Sequence, residues 1–299
     1  MTTETTPAPI PTATMRAVPQ QVSRHTATAL QAVAEHLADA APTDLLTATR
    51  AWQRGMAQLA SMTTTPGIDT AALVHAGAQA LLAGEDVPAN AADDLLAARR
   101  RIAAAEEHRN VVVAATDQVG TLARHLLAEH AEDLLTGPVS SHHDALMVQV
   151  RAVVGEHGQA LTADDLLRTN GAAGDRARAA VARLHALHAE LETVRRVHLA
   201  LFAYLTAGRD REVVPGTAAT MTALARARVL WCPGFATAWP AWRRPLVPPG
   251  TPEPASPWQG GPVQQLLTLV AHGSWTPTPQ QVATAWLDAL DAQDGAPAA

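Results

Sequence analysis

The sequence predicts an all-α protein, a helical bundle with two long helices (about 91–135 and 172–207), a Pro/Trp-rich irregular arm and a small C-terminal helical tail. Three observations lead there. Alanine, the strongest helix former, supplies 65 of the 299 residues. Apolar side chains recur at helical spacing over most of the chain, and no strand pattern extends beyond Val213-Val214. The helix breakers are gathered in a few places, with nine of the 21 prolines between residues 231 and 262.

Taken in order, residues 1–19 hold six Thr and four Pro with little to bury, and read as a disordered tail. The N-terminal helices occupy 20–84. The first spans about 20–40, with Leu30, Val33 and Leu37 on one face, and Pro42 breaks it. The second, about 44–60, repeats Leu45, Trp52, Met56 and Leu59, and a third is capped by Asp69 and stops at Gly84. The central region is 90–230. From Asn90 to Leu135 there is no Pro and a single glycine, Gly120, and Leu95, Ile102, Val112, Val119, Leu126 and Leu134 recur mostly at seven or eight residues. Unbroken, such a helix is about 68 Å long at ~1.5 Å per residue, which suits a bundle, a hairpin or an oligomer; a kink at Gly120 is the alternative.

Thr136-Gly137-Pro138 is expected to end that helix, and Ser141 to Asp144 reads as a capping box that opens the next. Thr162 to Asp165 repeats the device for a short helix, and after Gly171 a long one runs to about Ala207. One more helix is expected at 218–230. The arm, 231–262, is extended and carries Trp231, Trp239, Trp242 and Trp258. Helix returns at 263–271 and 279–291, where Thr278, Pro279 and Gln281 supply cap, first-turn proline and capping box.

Composition excludes much chemistry. All 22 basic residues are Arg, so a Walker-A lysine, a pyridoxal Schiff base and any lysine-borne cofactor are impossible. A lone cysteine, Cys232, excludes a disulfide within the chain and a multi-cysteine metal site, and points to the cytoplasm. Its flanks, Trp231 and Pro233, do not lower a thiol's pKa, so it reads as a quiet thiol. The N-terminus lacks the pattern of a secretory signal, and the longest greasy stretch, near Leu199–Leu205, is too short to span a membrane. The net charge of −6 gives no general attraction to nucleic acid or anionic lipid.

Two side-chain constellations invite a chemical reading. Ser140-Ser141-His142-His143-Asp144 has the letters of a hydrolase triad, but consecutive helical residues point in different directions and capping accounts for the Ser and Asp. His185, His188 and Glu192 share one helical face, yet a bundle metal site draws ligands from two or more helices. Neither motif supports a catalytic or metal-binding assignment, and no cofactor is expected. The arm's Trp239, Trp242, Arg243, Arg244 and Trp258 either fold back on the bundle or bind a partner, since Trp and Arg are common binding hot spots.

One segment resembles a known module. Over residues 142–185, Leu161-Thr162 start a short helix, Gly171 follows nine residues after Thr162, and Ala180-Val181 and Leu184 sit at anchor positions. This pattern resembles a winged-helix type of helix-turn-helix. The resemblance implies a recognition helix at about Asp175–Leu184 that offers Arg176, Arg178 and Arg183 to DNA. It also implies a β-hairpin wing, whereas the sequence after Leu184 continues a helical pattern. The leading expectation is a non-enzymatic assembly or interaction protein, partnered by itself or by another protein. DNA binding is the alternative and a metal-dependent enzyme the third.

Overall fold

A computed structural model describes residues 22–62, 75, 78–79, 81–83, 86, 91–157, 171–207, 229–238 and 260–294. Among them the protein is all-α. The helices are α1 (Arg24–His36), α2 (Thr43–Ser61), α3 (Ala91–Leu134), α4 (Ser140–His157), α5 (Gly171–Ala207), the single turn α6 (Phe235–Ala238), α7 (Pro262–His272) and α8 (Pro279–Asp294). Of the expected helix near 69–84 the structure describes residues 75, 78–79 and 81–83, helical at all but the last; the expected helix near 162–170, most of that at 218–230, and the arm from 239 to 259 lie outside the described residues. Two compact units divide the chain, one comprising Met1–Val22 and Thr47–Ala123, the other Ser23–Leu46 and Arg124–Ala299.

The local chemistry explains several helix ends. Ser23 caps α1 by accepting from the Thr26 N–H at 3.2 Å, and α1 closes at His36, short of Pro42. At α8, Thr278 and Gln281 form the expected capping box: the Thr278 N–H donates to Gln281 Oε1 at 2.8 Å and the Gln281 N–H donates to Thr278 Oγ1 at 3.2 Å.

The expected break at Thr136-Gly137-Pro138 does not occur. Leu135–Val139 instead forms one π-helical turn that passes directly into α4. Proline removes a backbone donor and crowds the preceding turn, and the wider turn absorbs both without ending the helix. Ser140 therefore already has helical dihedrals, φ −64° and ψ −44°, and Ser141 lies inside the helix rather than capping it. Asp144, its expected box partner, bonds elsewhere.

In the unit containing Thr47–Ala123, α3 is continuous through Gly120. Among its described residues there, Val113, Thr116, Gly120 and Ala123 are buried. Val112 and Val119, the expected seam, lie one position away and are half-exposed. Small residues hold the inside because α2 comes very close. A Cβ on Gly120 would sit 3.0 Å from Cδ1 of Trp52, and one on Gly55 would collide with the Thr116 hydroxyl. That hydroxyl is itself satisfied, donating to the Val112 carbonyl at 2.7 Å.

In the other unit α5 is the central element. Helices α1, α4, α7 and α8 pack on it, and α7 also packs on α4 and α6. Leu30, Leu127, Leu135, Leu146, Met147, Leu184, Leu191, Leu201 and Phe202 are fully buried. Burial of this kind stabilises by about 1.5–3 kcal/mol per large side chain. Polar side chains lie inside the same core, among them the three large ones His143, Arg195 and His198.

Candidate functional site

These three polar residues open a network that fastens the α7–α8 loop. Gly273, with φ +87°, turns the chain out of α7 in a conformation that favours glycine and introduces Ser274. The Ser274 hydroxyl stands 2.7 Å from His143 Nε2, and His143 Nδ1 stands 2.9 Å from an Asp144 carboxylate oxygen. An ionised carboxylate only accepts, so Nδ1 carries the proton and Nε2 of the neutral ring accepts from the serine. Burial holds the His143 pKa below its ordinary value, against the opposing pull of Asp144.

Three residues further along, the Pro277 carbonyl accepts from His198 Nε2 at 2.9 Å. The other nitrogen, Nδ1, accepts from the Trp231 indole N–H at 3.1 Å. Both bonds fix His198 as the neutral Nε2–H tautomer, and complete burial lowers its pKa to about 4. The Arg195 guanidinium sits 4.9 Å from the centre of the Trp231 ring and donates to Glu192 Oε1 at 2.9 Å. Trp275 completes the seam, with its indole N–H on the Leu230 carbonyl at 3.0 Å and its backbone N–H on the Trp231 carbonyl at 3.1 Å.

Ser274, His143 and Asp144 have the connectivity of a nucleophile, a base and an orienting carboxylate. Their burial runs the opposite way from such a triad. The imidazole is 1 % exposed, while the Asp144 side chain is 71 % exposed. A triad buries its carboxylate and opens its serine to substrate; here the carboxylate is the open end. The arrangement ties α4 to the α7–α8 loop, and both Ser140 and Ser141 of the sequence motif lie outside it.

The remaining sequence candidates are placed as follows. His188 Nε2 donates to Gln265 Oε1 at 2.8 Å, whose amide donates to the Gly260 carbonyl at 2.8 Å; His188 also lies 3.8 Å from Glu192. His185 is exposed, and among the described residues no three His, Cys, Asp or Glu side chains are grouped to hold a metal ion. Cys232 is fully buried, and burial raises its thiol pKa to about 11. Trp239, Trp242, Arg243, Arg244 and Trp258 lie outside the described residues.

Arg176 and Arg183, two helical turns apart on α5, line an open cleft of about 690 Å³ with Glu156 and His157 at the end of α4. Arg178 faces elsewhere and pairs with Asp175 at 2.6 Å. The helix that would be the recognition helix runs on to Ala207. Comparison with models of protein families, with curated proteins and with solved structures finds no match to this chain. Among the described residues no helix is long and apolar enough to cross a membrane.

Sequence reading missed Ser274, His143, Arg195 and His198 as a group. The available signal was polar residues at core positions: Arg195 and His198 interrupt the apolar stripe of Leu191, Val194 and Leu201, and a buried polar group needs partners.

Proposed function

We propose that this chain is a non-enzymatic, oligomeric helical interaction protein of the cytoplasm, using α3 as its principal contact surface. The carrying observation is an exposed α3 face on which Leu96, Val111 and Leu122 remain 49 %, 58 % and 52 % exposed. Large apolar side chains aligned on one helix and left in water favour a partner. The buried His143, Arg195 and His198 of the other unit support the same reading, because each is held by bonds within the chain. Light scattering and pull-down with the full chain test it, alongside a fluorophosphonate probe of serine nucleophiles. The expected outcome is a complex, with itself or with another protein, weakened when Leu96, Val111 and Leu122 become Ser, and no labelling of Ser274. A strictly monomeric protein that recovers no partner, or stoichiometric labelling at Ser274, contradicts it.

The second reading, DNA binding at the α4–α5 corner, is favoured by the cleft that Arg176 and Arg183 line beside His157. Under it, duplex DNA is shifted in a salt-dependent way, and changing Arg176 and Arg183 to Ala abolishes the shift. Arg178→Ala then has the smaller effect, since that guanidinium is already paired with Asp175. No shift at low salt removes this reading.

A further inference from the structure

We infer that the partner of the α3 face is a second copy of this chain, joined antiparallel across a two-fold axis at the Ala103–Ala104 bond. The inference rests on the interaction reading above and names its partner. Leu96, Arg100, Ala103, Ala104, Glu107 and Val111 are all exposed and form one stripe on α3. Spacings of four and three residues within Leu96, Arg100, Ala103 and within Ala104, Glu107, Val111 give two runs that adjoin at the Ala103–Ala104 bond and together span an arc of about 100°.

The stripe is complementary to itself. Reading outward from the Ala103–Ala104 bond, Ala103 meets Ala104, Arg100 meets Glu107 and Leu96 meets Val111. Two copies placed antiparallel therefore set Arg100 against Glu107 and Leu96 against Val111. The contact repeats itself under the two-fold, as an isologous interface requires. A parallel pairing in register would instead set Arg100 against Arg100 and Glu107 against Glu107. The two alanines at the axis let the backbones approach to about 8–10 Å, and the long arginine stems cover the alanine surface. From Leu96 to Val111 the stripe runs about 22 Å. A face of that length, with exposed ion pairs, gives a concentration-dependent and salt-sensitive dimer.

Sedimentation velocity of the full-length protein across a concentration series tests this. The wild type is expected to dimerise. Arg100→Glu and Glu107→Arg should each raise the dimer Kd about tenfold or more, since either change turns two attractions into two repulsions. The double reversal should restore Kd to within about threefold of wild type. Circular dichroism should be unchanged throughout, because these side chains are exposed. Oxidising a mixture of Leu96→Cys and Val111→Cys proteins should join the two variants to each other, with the buried Cys232 not competing. A monomer at every concentration, reversals without effect, or Leu96→Cys joining chiefly to itself each overturns the inference. A monomer that still captures another protein removes the self-pairing alone and leaves the interaction reading standing.

Discussion

His198 carries the sharpest consequence at the scale of single residues. Its pKa in the folded chain is about 4, against an ordinary 6.5, because complete burial penalises the charged ring more than the Pro277 carbonyl favours it. Between those values the unfolded chain takes up a proton and the folded chain does not. Stability is therefore complete above pH 6.5 and is lost as pH falls toward 4, by about 3 kcal/mol at the lower end. His143, lowered by the same cause, contributes with the same sign. Urea unfolding at pH 7 and pH 5 should show this loss. In His198→Gln, whose amide can still accept from Trp231 and donate to Pro277, the difference between the two pH values should shrink; an unchanged difference would place the titration elsewhere. Cys232 gives a second test. A thiol raised to about 11 and fully buried should react with a thiol reagent only as fast as the protein opens, and rapid labelling of the native protein would contradict its burial.

At the scale of elements, glycines separate contact from mere presence in a helix. Gly55 faces Thr116, so Gly55→Ala should destabilise by about 1–2 kcal/mol even though alanine favours helix. Gly155, inside α4, has open space where a methyl group would stand, with nothing within 4 Å, and Gly155→Ala should stabilise by about 0.5–1 kcal/mol. Thermal melts of the two variants should move in opposite directions; a shift of the same sign in both would undo the close approach of α2 and α3. Thr278→Ala should cost about 1 kcal/mol through the lost cap of α8. That cap was legible because its signal is local: three residues within four positions specify it. The buried face of α3 was not, since Thr116, Gly120 and Ala123 carry little hydrophobicity and are selected by how near another helix lies. Thr136-Gly137-Pro138 misled for a related reason. Breaker residues report a lost hydrogen bond, and one π turn supplies another way to accommodate it.

On the scale of the whole molecule, the helical class followed from composition and period, which need no knowledge of contacts. The polar network did not, because His143 and Ser274 are 131 positions apart and only packing on α5 brings α4 and the α7–α8 loop together. The α3 stripe is intermediate: its residues are local, but that they remain exposed is a property of the folded chain. The central claim is that this exposed stripe is where copies of the protein meet. Hydrogen exchange of the full-length chain at low and high protein concentration tests it most directly. Amides of residues 93–114 should exchange more slowly at high concentration, while those of α5 stay unchanged; exchange over 93–114 that is independent of concentration would contradict the account.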